Sequence, residues 1–124
     1  MIYLASPYSD PDANIREQRF RAACRAAARL LRAGHAVFCP VAHSHCIAAH
    51  GLPAGWSFWE RIDREHLERC GEIVVLLLDG WLMSEGVRAE MRLAVELGKP
   101  IRFLVPTGGD DSPTLARVAE GGGV

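Results

Sequence analysis

Apolar and polar positions alternate between two periods along this chain. "IYLAS" (2–6) is a short, β-favouring apolar run closed by Pro7. From about Asn14 to Ala33 the chain is rich in Ala and Arg at helical spacing, and Gly34 follows as a stop. "HAVFCP" (35–40) reads as a second strand ended by Pro40, and residues 41–56, with Gly, Pro and His, read as a long loop. "SFWERIDREHLERC" (57–70) has helical spacing, with Ser57 placed to cap it. "EIVVLLLD" (72–79) is a run of β-branched and Leu residues, as in a strand buried on both faces. "SEGVRAEMRLAVELGKP" (84–100) runs from a loop into a helix, and "PIRFLVP" (100–106) is a last strand. After Pro106 the chain turns Gly-rich, so 107–124 is expected to be a frayed tail behind a single domain, 1–106.

Strand–helix alternation predicts an α/β fold: a mainly parallel sheet of four to five strands with helices on both sides. Ligands in such folds bind beyond the carboxyl ends of the strands. That edge collects Ser6 to Asp12, the His-rich 41–56 loop, and Asp79 to Gly86. Helix N-termini point there too, and their free N–H groups favour anions.

Two carboxylates break the helical pattern. In the last helix Val87, Met91, Ala94, Val95 and Gly98 share the apolar face, and Glu90 falls among them. In the helix before it, Trp59, Ile62, His66, Leu67 and Cys70 form the apolar arc, and Asp63 lies inside that arc. A carboxylate in such a place must be solvated, paired or protonated. Each alone reads equally well as a rim residue reaching water, or, for Asp63, as a partner of Arg61, of Arg69 or of a nearby backbone N–H. Two of them on helices flanking one strand point to an acidic pair in a cleft.

Composition narrows the classes. The 124 residues are 49% hydrophobic and 23% charged with a net charge of −1, which fits one ordinary domain and gives no support for binding nucleic-acid polymers. No apolar run approaches the roughly 20 residues of a membrane span. The chain opens directly on a strand-like segment, and Cys24, Cys39, Cys46 and Cys70 form no CxxC pair, so reduced thiols in a cytoplasm are expected. "HSHC" with Cys39 and His50 lacks the paired spacing of a zinc site, so no metal is expected, nor any cofactor.

"IYLASPYS", then Asp63 ahead of the buried strand, then "SEGVRAEMRLAVELGKP", resembles the nucleoside 2-deoxyribosyltransferase superfamily. With "PVAHSHCIAAHGLP" and "FWERID", the arrangement is most similar to a bacterial and phage branch of it, over roughly residues 2–104. The resemblance implies a flavodoxin-like fold, a nucleophile at Glu90, an Asp near base and sugar at Asp63, and a Tyr that orients the Glu at Tyr3. It also implies at least a homodimer, for which "FWERI" offers aromatic surface. Two positions depart from the transferases. The first loop is "SPYSDPD" and not Gly-rich, and Ser84 stands where they carry an Asp. The related deoxynucleoside 5′-monophosphate hydrolases carry a Ser at this spacing that binds the phosphate.

The implied chemistry suits these residue types. An N-glycosidic bond breaks through an oxocarbenium-like state that an anion beneath C1′ stabilises and can trap covalently. Asp63 would hand a proton to the leaving base, and water or a second base would release the sugar. Ser84, Gly86, Ser6, Tyr8, Arg19, His43 and His45 are expected to line the substrate site, with Arg16 and Arg19 as phosphate candidates. Trp56, Phe58 and Trp59 are aromatic enough to stack on a base, or to fill a core or an interface. Arg21, Arg25, Arg29 and Arg32 read as a solvated face. The expected activity is cleavage of the N-glycosidic bond of a nucleoside or its 5′-monophosphate. The alternative is a nucleotide-sensing module that keeps the cleft without the reaction.

Overall fold

A computed structural model describes residues 1–53, 55–106 and the backbone of 115–117. Strands β1 (Ile2–Ala5), β2 (Val37–Phe38), β3 (Glu72–Leu76) and β4 (Ile101–Leu104) pair in parallel in the order β2-β1-β3-β4, and β5 (Leu115–Arg117) closes the β4 edge antiparallel. β5 lies inside the expected tail. The rest of that call, 107–114 and 118–124, lies outside the described residues.

The helices are α1 (Ala13–Arg32), α2 (Pro40–Ala48), α3 (Trp56–Arg69) and α4 (Glu85–Glu96). Period-two alternation in the strands divides the core into two layers. Ile2, Leu4, Val74 and Leu76 pack with Ala23, Ala26 and Leu30 of α1 and Val41 of α2. Tyr3, Ala5, Ile73 and Val75 face the other way, onto Leu67 of α3 and Val87, Leu93 and Ala94 of α4. The result is a three-layer sandwich, as the alternation implied, and it is flavodoxin-like, as the resemblance implied.

Several local expectations are corrected. The segment read as a loop from 41 contains α2, which starts with Pro40 in its first turn, where the missing N–H costs nothing. Gly55 and not Ser57 is the N-cap of α3, so Ser57 sits inside the helix. Ser84 does cap α4: its hydroxyl accepts from the Val87 N–H at 3.2 Å. Arg29 does not lie on a solvated face. It is buried on α1, and its guanidinium donates to the Val105 carbonyl at 3.0 Å. β3 ends at Leu76, so Asp79 lies beyond the strand and not at its tip.

The topology sets the position of the site. β1 continues into a crossover toward β2 on one side of the sheet, while β3 lies on its other side, so the sheet order reverses between β1 and β3. Two loops meet over that point, and Arg19 ties them together by donating to the carbonyls of Tyr8 (3.4 Å), Ser9 (2.9 Å) and Asp79 (3.4 Å). Gly80, at φ +92°, makes the second loop possible. A Cβ there would also come within 2.8 Å of the Arg19 guanidinium.

Candidate functional site

A cleft of about 420 Å³ opens over the junction of β1 and β3. One wall is built by α3 and the start of α4, and the other by the loop after β1, by α1 and by α2. Asp63, Glu90, Trp56 and Trp59 line the first wall; Tyr8, Arg19, Ser44 and His45 line the second. Ser6, Gly80, Ser84 and Gly86 complete the lining near the sheet edge.

Glu90 stands deeper than its helical phase suggested. Val95 is exposed and Leu93 is buried, so the covered arc of α4 is rotated and Glu90 lies in its middle. Glu90 keeps 5% of its surface and Asp63 keeps 8%, enough to touch the cleft and little enough to lose most hydration. The Tyr3 hydroxyl, itself fully buried, donates to Glu90 Oε2. That bond leaves Oε1 as the atom free to face a ligand.

Among the described residues no cation forms an ion pair with Glu90 or Asp63, so the alternative in which Arg61 or Arg69 neutralises Asp63 fails; Arg69 pairs with Glu65 instead. Burial raises the Asp63 carboxyl to about 7. Burial also raises Glu90, to about 8; the Tyr3 hydrogen bond pulls it down and the Asp63 charge adds to the rise. Tyr3 is pushed well above its ordinary value, first by burial and then by the charge of Glu90, so it remains a donor. Interacting carboxyls of this kind titrate as a unit. Near neutral pH they hold a proton between them, which is the state an acid and a nucleophile need together.

The second wall is organised by hydrogen bonds. The Tyr8 hydroxyl meets His45 Nδ1 at 2.7 Å, and His45 Nε2 meets Glu17 Oε1 at 3.0 Å. The His45 ring stacks on Phe20 with centroids 4.2 Å apart. Arg16 donates to the Asp10 carbonyl, so both arginines named for a phosphate are engaged with backbone, although Arg19 still lines the cleft.

Ser6 is the odd member of the lining. It is buried, and its hydroxyl has no hydrogen-bond partner. Buried hydroxyls are rarely left so, and a ligand in the cleft is one partner that would satisfy it. Gly86 lies under Trp56: a Cβ there would come within 3.3 Å of the indole.

Of the sequence-expected residues, Glu90, Asp63, Ser84, Gly86, Ser6, Tyr8, Arg19 and His45 all line the cleft, and Tyr3 reaches it through Glu90. His43 does not. It sits on the outer face of α2 beside Phe38 and His66, two rings that stack at 3.9 Å. Helical periodicity explains this correction: in a loop His43 and His45 can both turn inward, but two positions apart on a helix they diverge. Trp56 and Trp59 do face the cleft, while Phe58 points to solvent. Met83 and Ser44 were missed, and neither residue type carries a signal that marks it.

No helix is long and apolar enough to cross a membrane, and no group of three or more His, Cys, Asp or Glu could hold a metal ion, among the described residues. A search of curated proteins finds no match to the chain. The family model described as a domain of unknown function (DUF1937) matches residues 1–105, nearly the whole described chain, and the protein belongs to that family.

Proposed function

We propose that the cleft breaks the N-glycosidic bond of a nucleoside 5′-monophosphate or nucleoside, with Glu90 as nucleophile and Asp63 as acid. The observation that carries this reading is the Tyr3–Glu90–Asp63 arrangement. It is a buried carboxylate oriented by a phenol, with a second, protonatable carboxyl on the facing helix and, among the described residues, no cation paired with either. The resemblance to the nucleoside 2-deoxyribosyltransferases supports the same roles.

The step runs as follows. The C1′–N bond breaks, its electron pair stays on the base nitrogen, and the Asp63 proton moves to the base. Glu90 Oε1 stabilises the positive C1′ and closes an ester bond to it. Water then attacks C1′, its proton goes to the Asp63 carboxylate, and the Glu90 carboxylate leaves. Burial raises both carboxyls, so baring the charge on Glu90 is uphill until a cation develops at C1′, which offsets that cost. Trp56 and Trp59 are placed to hold the planar base.

A 5′-phosphate suits the start of α4. Ser84 Oγ accepts from Val87, which leaves its own proton free to donate into the cleft, and the helix N-terminus favours an anion. The fixed guanidinium of Arg19 adds positive charge, while Glu85 and Asp10 oppose it. Water as acceptor then makes the protein a hydrolase. The exposed Phe58 leaves apolar surface on α3 for a second copy.

The test is incubation with a panel of deoxynucleosides and their 5′-monophosphates, with chromatography for free base. Release of base, faster from the monophosphate, is expected. A silent panel would return the cleft to the status of a binding module. Equal or better cleavage of the nucleoside, unchanged in Ser84→Ala, would remove the phosphate from the proposal.

A further inference from the structure

The second wall of the cleft holds a chain of three hydrogen-bonding side chains that the proposed chemistry does not use. Glu17 Oε1, His45 Nε2, His45 Nδ1 and the Tyr8 hydroxyl are joined end to end by contacts of 3.0 and 2.7 Å. Tyr8 and His45 line the cleft; Glu17 lies outside it on α1. The chain is anchored at its outer end and at its middle. Arg21 pairs with Glu17 at 2.9 Å, and the His45 ring is stacked on Phe20.

The order of donors along the chain follows from the chemistry of each group. A carboxylate can only accept, so Nε2 must carry the proton that it shares with Glu17. Arg21 first, and His45 after it, hold the Glu17 carboxyl below its ordinary range, which keeps it an acceptor. In the neutral ring Nδ1 is then a bare acceptor, and the Tyr8 O–H must point at it. The lone pairs of the Tyr8 oxygen are what remain: the Arg16 side chain hydrogen-bonds at one, and the other is left for the cleft. Tyr8 is not an inert wall residue there but an acceptor with a fixed direction. The charged and titratable neighbours do not reverse this. Glu17, Arg16 and Arg21 come from α1, and Tyr8 and Asp10 from the loop. Cys46 belongs to α2 itself, with Cys24 opposite it on α1.

We propose that Tyr8, polarised by His45 and Glu17, is a specificity-determining contact that accepts a hydrogen bond from a hydroxyl of the ligand's sugar. His45 and Glu17 act through it and are positioning residues. The identity of the hydroxyl rests on the glycosidase reading: a 2-deoxyribonucleoside 5′-monophosphate has a single free sugar hydroxyl, at C3′. A site built to pair with a ligand O–H rejects the analogue that lacks it, because its own acceptor is then stripped of water and left unpaired.

The test has a part that needs no turnover. In the free protein at pH 8, nitrogen NMR of the histidine rings should show His45 protonated at Nε2 and bare at Nδ1, and Glu17→Gln should mix the two tautomers. A wild-type ring protonated at Nδ1 overturns the proposal. The second part measures dissociation constants, by calorimetry, for a 2′-deoxynucleoside 5′-monophosphate and its 2′,3′-dideoxy analogue. The 3′-hydroxyl should favour binding by about 10-fold in the wild type. That ratio should fall to near 1 in Tyr8→Phe and part of the way in Glu17→Gln, an exposed substitution that leaves the fold alone. An unchanged ratio in Tyr8→Phe overturns the proposal even if base is still released. Binding with the expected ratios but no base release would overturn the glycosidase reading and leave Tyr8 in its role. If neither nucleotide binds, both fall.

Discussion

The two walls of the cleft treat their polar groups in opposite ways. On the α3–α4 wall, Asp63 and Glu90 are buried with no cation paired to them among the described residues, and one tyrosine hydroxyl is what Glu90 receives. On the opposite wall, Tyr8 and His45 are bonded outward to Glu17, which rests on Arg21 near the surface. The first arrangement keeps proton affinity high and charge poorly screened, which costs stability and leaves reactive groups. The second satisfies each group and fixes its direction, which suits recognition. The cleft is accordingly asymmetric, with proton-holding carboxyls on one side and hydrogen-bonded, directed groups on the other.

Substitutions should separate the walls. Asp63→Asn is expected to lower kcat by about 100- to 1,000-fold, since an amide cannot deliver the proton, with binding little changed. Its pH–rate profile should also lose the alkaline limb that the wild type shows as the acid pair gives up its last proton near pH 7–8. His45→Gln should do the reverse, moving KM or the dissociation constant more than kcat. If both variants lose only kcat, the division of labour is wrong.

Stability should follow the acid wall. Both carboxyls have folded values raised above their ordinary 4.5 and 3.8. The folded protein therefore binds more protons than the unfolded chain between about pH 4 and pH 8. The stabilising contribution of the protonated carboxyls is fully present below the unfolded values and is lost as pH rises through the folded ones. The wild type should lose on the order of a few kcal/mol between pH 5 and pH 8 from this source, read as a falling melting temperature. The Glu90→Gln, Asp63→Asn double variant should give a flatter curve. A parallel curve would mean that the pair is solvated.

Smaller effects test the frame. Gly80→Ala places a side chain at positive φ and against Arg19, and should cost about 1 kcal/mol or more in denaturant unfolding. Gly86→Ala is milder. The helix gains propensity while Trp56 must give by a few tenths of an ångström, so stability should change by less than about 1 kcal/mol and base binding should weaken measurably.

The acid wall was legible in the sequence and the opposite wall largely was not. Glu90 and Asp63 violate the helical pattern of α4 and α3, and such violations stand out because the surrounding apolar positions are regular. α2 was not legible, because its apolar and polar residues are spread around the helix and its Cys39 cap makes no side-chain bond. Pro40 at its start was the overlooked signal. The Tyr8–His45–Glu17 chain joins residues 37 and 28 positions apart, and no local period encodes such a contact. The inward face of Arg29 also depended on tertiary packing, since its neighbours on α1 repeat as an ordinary charged stripe.

The proposed reaction stands or falls on the Glu90 carboxylate as the group that attacks or stabilises C1′. Glu90→Gln keeps the shape and can still accept from Tyr3, but it has no anion to offer. On the monophosphate best cleaved by the wild type, Glu90→Gln should lose at least about 1,000-fold in the rate of base release, with a melting temperature at pH 8 equal to or above that of the wild type. Base release within threefold of wild type, from a variant shown to be folded, would contradict it.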